Sequence, residues 1–121
     1  LFQFKFRNNN TDVKEEAIVT SEKKVTSFIV QIISLIEKGQ DNKIGGVVTS
    51  IVELLGEQQI EYRNVYSDLF FMDKVPAPAK IVINQYSNTH QNCLIPHMHF
   101  MAMVFNIIKS LQEYRRAATG K

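Results

Sequence analysis

The chain has 121 residues, 45% of them hydrophobic and 21% charged, enough apolar material for one core and a composition typical of a globular domain. Its formal net charge of +2, from 14 basic and 12 acidic residues, is too small to call for a polyanionic partner, and the longest purely basic runs are the pairs Lys23-Lys24 and Arg115-Arg116. Charged residues interrupt every hydrophobic stretch before the roughly 20 residues of a membrane helix are reached, and the single cysteine cannot form an internal disulfide.

These features point to one domain, residues 1–121, of a reducing intracellular compartment, cytoplasm or nucleus. No signal-peptide pattern opens the chain. Beginning at Leu1 rather than Met, it reads as a fragment of a larger protein.

Residues 1–7 alternate strictly, with Phe2, Phe4 and Phe6 on one face and Gln3, Lys5 and Arg7 on the other, the pattern of a half-buried strand. Asn8-Asn9-Asn10 then predicts a turn, and Thr11 or Asp12 can cap a helix with Glu15 or Glu16 in its first turn. Residues 17–20 fit either that helix or a short strand, with Ser21 as the cap in the second case. From Val25 the apolar residues recur as Phe28, Ile29, Ile32, Leu35 and Ile36, a helical stripe that stops at Gly39. Asp41 or Asn42 caps a second helix carrying Ile44, Val47, Val48, Ile51, Leu54 and Leu55 to Gly56, so the two form an αα-hairpin. Gly45-Gly46 lacks the spacing and the Lys-Ser/Thr of a phosphate-binding loop and reads as a site of close helix packing.

Residues 57–72 are read as a strand at Ile60 and Tyr62 followed by irregular structure, although Tyr62, Val65, Tyr66, Leu69 and Phe70 also fit a helix. Pro76 and Pro78 predict an extended loop, and residues 80–86, through Ile81, Val82 and Ile83, a second strand. Pro96 suits the first position of a helix running to about Arg116, apolar on nearly every side in its first half. The expected fold is therefore α+β: a small, mainly antiparallel sheet packed on the αα-hairpin and a long C-terminal helix. Phe105 and Ile108 are expected to pack against Ile32 or Ile51 at its centre.

Chemistry concentrates in one place, since all three histidines and the cysteine fall in His90-Gln91-Asn92-Cys93-Leu94-Ile95-Pro96-His97-Met98-His99. Imidazole and thiolate suit tetrahedral zinc. On a helix starting at Pro96, however, His97 and His99 stand about 200° apart, so only His90, Cys93 and one later histidine, such as His97, can converge on an ion. Zinc is the one cofactor the residues suggest, and the expectation is a chain without cofactor. A cysteine nucleophile before a helix amino end is a second chemical reading, but Leu94 and Ile95 suggest burial and no oxyanion-forming motif flanks it. Asp68 and Asp73 read as turn formers rather than an acid/base pair.

The most informative surface signal is apolar. Three helices and two or three strands offer more apolar faces than one small sheet covers, and Met98, Met101, Phe105 and Ile108 are side-chain types common where another chain docks. With Phe2, Phe4 and Phe6 as a pairing edge, they predict a non-catalytic protein-protein interaction or assembly module of a larger intracellular or viral protein. Its partner is another protein chain, in a homo- or hetero-oligomer. The alternative is a zinc-stabilised or nucleic-acid-associated domain built on the cluster at 90–99.

Overall fold

The computed structural model describes residues 2–118, with side chains from Val19 onward. It forms five α-helices: α1 Phe2–Glu37, α2 Ile44–Glu57, α3 Tyr62–Phe71, α4 Ala77–Thr89 and α5 Pro96–Ala118. Single 3-10 turns at Asp41–Lys43 and His90–Asn92 lead into α2 and away from α4. Among the described residues there is no strand, so the architecture is all-α and the expected α+β fold with an antiparallel sheet is incorrect.

Each misread segment has a physical reason. The backbone of residues 2–7 and 17–20 is helical within α1, and a helix satisfies its N–H and C=O groups internally, which a lone strand with no partner cannot do. The side chains of Phe2, Phe4 and Phe6 lie outside the described residues, and among the described residues there is no sheet for them to edge. In residues 80–86 the misleading cue was the β-branched run. Its burial follows the helical spacing i, i+3, i+4, with Ala79, Val82 and Ile83 inside while Ile81 is 61% exposed. Pro76 and Pro78 begin this helix rather than exclude one, as N-cap and within the first turn, where the missing N–H has no intrahelical partner to lose. Likewise Val65, Tyr66 and Leu69 are buried at helical spacing in α3, so residues 62–71 are helix and not the expected strand and irregular segment.

The αα-hairpin is present. α1 ends in a Schellman turn: Gln40 N–H donates to the Leu35 carbonyl at 2.8 Å and Gly39 N–H to that of Ile36 at 3.1 Å, with Gly39 at φ 75°. The Arg115 guanidinium from α5 lies directly over this turn, 2.6 Å from where a Cβ on Gly39 would stand. Asp41 joins them, with Arg115 Nη1 3.9 Å from its Oδ1 and Gln112 Nε2 donating to its Oδ2 at 2.8 Å. The carboxyl end of α5 is thereby tied to the end of α1, a favourable place for a cation.

The core is shared by all five helices, with Val25, Ile29, Ile32, Ile33 and Ile36 of α1 facing Ile44, Val47, Ile51 and Leu55 of α2 and the inner residues of α3, α4 and α5. α1 packs on α2, α3 and α5, and α5 on α4, α1 and α2. On α5 the buried residues are Phe100, Met101, Met103, Val104, Ile107 and Leu111. Phe105 is not among them. It is 54% exposed, about 160° around the helix axis from Ile107, so its expected central placement is corrected, while Ile108 is partly buried against the core. Gly45 and Gly46 also differ from expectation: both are exposed, and a Cβ at either would meet nothing within 4 Å, so they mediate no close packing.

Candidate functional site

Where α3, α4 and the amino half of α5 meet, six rings gather. Tyr62 and Tyr66, four residues apart on α3, share one helical face. The ring of His90, just past α4, stands 5.0 Å from that of Tyr62 and 5.1 Å from that of Tyr66. Phe100 of α5 lies behind the two tyrosines at 5.2 and 5.8 Å. His99 meets His90 edge-on at 5.2 Å and Tyr86 at 5.0 Å.

Hydrogen bonds fix the proton positions. Tyr66 Oη and His90 Nδ1 are 2.6 Å apart. Burial, then the nearby Cys93 and Tyr62, push the Tyr66 hydroxyl well above its ordinary pKa of 10.0, so it remains the donor. Burial and the adjacent His99 lower the pKa of His90 below 6.5, leaving Nδ1 free to accept near neutral pH and the ring proton on Nε2. Tyr62 is shifted upward too, by burial and by Cys93. His99 Nε2 donates to the Tyr86 carbonyl at 2.9 Å, with Thr89 Oγ1 at 3.3 Å, and Asn106 Nδ2 donates to the Tyr86 hydroxyl.

One side of this cluster opens into a cleft of about 650 Å³ between α3 and α4. Tyr62, Tyr66, Phe70, Phe71 and Ile83 supply apolar surface, and Arg63, Asn84, Asn88, His90 and Gln91 supply polar groups. Phe71 is 76% exposed at its edge.

A different surface runs along the outside of α5. Leu94 is 94% exposed and Met98 63%, with Ile95 and Phe105 also exposed. Met98 and Phe105 are seven residues apart, hence about 20° apart around the axis and about 10 Å along it. Ala102 lies between them on this outer face.

The residues singled out in the sequence thus divide. His90 and His99 enter the ring cluster, and Cys93 lies close enough to act electrostatically on both tyrosines. His97 is exposed and takes part in none of these contacts. Among the described residues no three His, Cys, Asp or Glu side chains are grouped to hold a metal ion, so His90, Cys93 and His97 are not brought together as a ligand set. The Cys93 thiol has no hydrogen bond to a histidine among the described residues. Of the proposed docking residues, Met98 and Phe105 face outward, Met101 is buried and Ile108 is partly buried. Tyr62, Tyr66, Tyr86 and Phe100 were missed as members of the cluster. The four-residue spacing of Tyr62, Tyr66 and Phe70 was the available signal, and it has meaning only on a helix.

The site therefore belongs to a five-helix, all-α domain with an aromatic–histidine cluster under a cleft and an apolar outer stripe. No family model, curated protein or solved structure matches this chain. No helix among the described residues is long and apolar enough to cross a membrane.

Proposed function

We propose that this domain is a non-catalytic assembly module that pairs with a second copy of itself through the outer face of α5. The observation that carries the reading is the outward-facing pair Met98 and Phe105 on α5, with Leu94 and Ile95 exposed just before its amino end, because large apolar side chains left in solvent close together mark an interaction site. Its layout is self-complementary. Two antiparallel copies of α5 crossing near Ala102 set Met98 of each against Phe105 of the other, the reciprocal pattern of a two-fold interface. The small Ala102 side chain at the crossing permits close approach of the helices. Lys109, near the same face, can lay its aliphatic stem over the partner's Leu94 and Ile95 while its ammonium stays in water. So few side chains fall short of the roughly 20 to 30 residues per side of a standard interface, so the pairing is expected to be micromolar and reversible.

The test is cysteine crosslinking. In a Cys93→Ser background, Ala102→Cys should give a disulfide-linked dimer under mild oxidation, with Cα atoms able to come within the roughly 4.4–6.8 Å that a disulfide needs. A cysteine in place of Thr49, on α2, serves as the control and should remain monomeric. Equal crosslinking at both positions, or at neither, contradicts pairing through this face.

A further inference from the structure

The cleft between α3 and α4 lies apart from the outer stripe of α5, and its chemistry is more specific than that of a docking surface. Its volume of about 650 Å³ falls in the range of small-molecule sites, which combine aromatic walls with a few convergent polar groups. Tyr62, Tyr66 and Phe70 recur every four residues along α3 and all three line the cleft, which gives it an aromatic wall spanning about 12 Å of the helix. That wall suits a flat ring.

Two residues of the lining hold unspent donors. His90 Nδ1 accepts from the Tyr66 hydroxyl, and its Nε2 has no hydrogen bond among the described residues. Arg63, which also lines the cleft, makes no ion pair among them. A planar guanidinium and an imidazole N–H are both donors, and the guanidinium matches a carboxylate in geometry and charge. Glu61 is the one carboxylate in the lining, and it works against an anionic ligand.

We infer that the α3–α4 cleft is a binding site for a small aromatic carboxylate, its ring against Tyr62, Tyr66 and Phe70 and its carboxylate held by Arg63 and His90 Nε2. The ligand class follows from the pairing of an aromatic wall with two uncommitted donors. Purely apolar ligands would make no use of either donor.

The probe pair is indole-3-acetate and its neutral counterpart indole-3-acetamide, titrated into the whole chain and followed by the ring resonances of Tyr62, Tyr66 and His90. The carboxylate should bind with a dissociation constant below about 1 mM, perturbing those resonances first. The amide should bind about tenfold more weakly, as should the carboxylate to Arg63→Gln, each having lost one charge-assisted contact. Glu61→Gln should tighten binding. Arg63 and Glu61 are both exposed, so thermal melts should show both variants folded. Equal affinity for acid and amide, no saturable binding by about 10 mM, or perturbations centred on α5's outer face instead of the cleft would each overturn the inference.

Discussion

The two ends of α5 show how one helix can serve two purposes. At its carboxyl end Arg115 and Gln112 reach the α1–α2 turn, where Gly39, Asp41 and the end of α1 close around them. At its amino end the inner face is filled by Phe100 and Met103, both fully buried, while Met98 and Phe105 project outward from the opposite face. The difference lies in partners: the first end has found its contacts within the chain, and the second keeps part of its apolar surface unspent. Packing fixes α5 in place, and that fixed position makes the outer stripe a defined surface.

The comparison breaks most sharply at Phe100. It is 0% exposed and backs Tyr62 and Tyr66, so Phe100→Ala should cost about 3–5 kcal/mol in denaturant stability, a large share of what a domain this size has. A loss below about 1 kcal/mol would mean that the inner face of α5 is not the core.

At the pinned end, Gly39→Ala combines two penalties. The backbone sits at φ 75°, which costs an ordinary residue about 1–2 kcal/mol, and the new methyl would meet the Arg115 guanidinium at 2.6 Å. A total of about 1–3 kcal/mol is expected in thermal or chemical unfolding. The Asp41–Arg115 pair is part-exposed, with side chains 38% and 46% accessible, so Arg115→Ala alone should cost under about 1 kcal/mol. Combining it with Gly39→Ala should recover some of the loss, because the displaced group is gone.

The ring cluster should respond more mildly. Tyr66→Phe removes the donor to His90 Nδ1 at about 0.5–1.5 kcal/mol. Its pH signature has a definite sign. Because the fold lowers the pKa of His90 below the 6.5 of the unfolded chain, the unfolded state binds more protons in that window, and stability is full above pH 6.5 and falls as pH drops through it. The groups facing the ring are Tyr62, Tyr66 and His99, with Cys93 near the tyrosines. Replacing His90 with Gln should flatten that part of the stability profile; an unchanged profile would place its origin elsewhere.

How much of this was legible in the sequence depended on which residues carried the pattern. From Val25 through α2 the apolar spacing and the stop at Gly39 sufficed, because Ile, Leu and Val fall at i, i+3 and i+4 and little competes with that period, whereas the start of α1 alternates like a strand. In α4 the run Ile81-Val82-Ile83 displayed the β-branched chemistry of a strand, while the deciding residue, Ala79, is too small to announce itself as core. In α3 the helical and alternating readings shared Tyr62, and without the helix the Tyr62–Tyr66–Phe70 wall could not be seen. The histidines stand together in the sequence, but the hydrogen-bond partner of His90 comes from α3, about 25 residues away in sequence, and linear spacing carries no information about such a neighbour. For Phe105 the difficulty was composition: Met103, Val104, Phe105, Ile107 and Ile108 surround the axis, and only the packed helices decide which side is outside.

Phe105→Glu, examined for folding and association in one preparation, tests most directly whether the outer face of α5 is a pairing surface and not a core face. Sedimentation over a concentration series, paired with a denaturant melt of the same samples, should show the parent chain passing from monomer to dimer in the micromolar range. The variant should stay monomeric, with its unfolding free energy within about 0.5 kcal/mol of the parent under conditions where both are monomers. A variant that unfolds, or one that dimerises as the parent does, would contradict the outward placement of Phe105 or its part in the pairing.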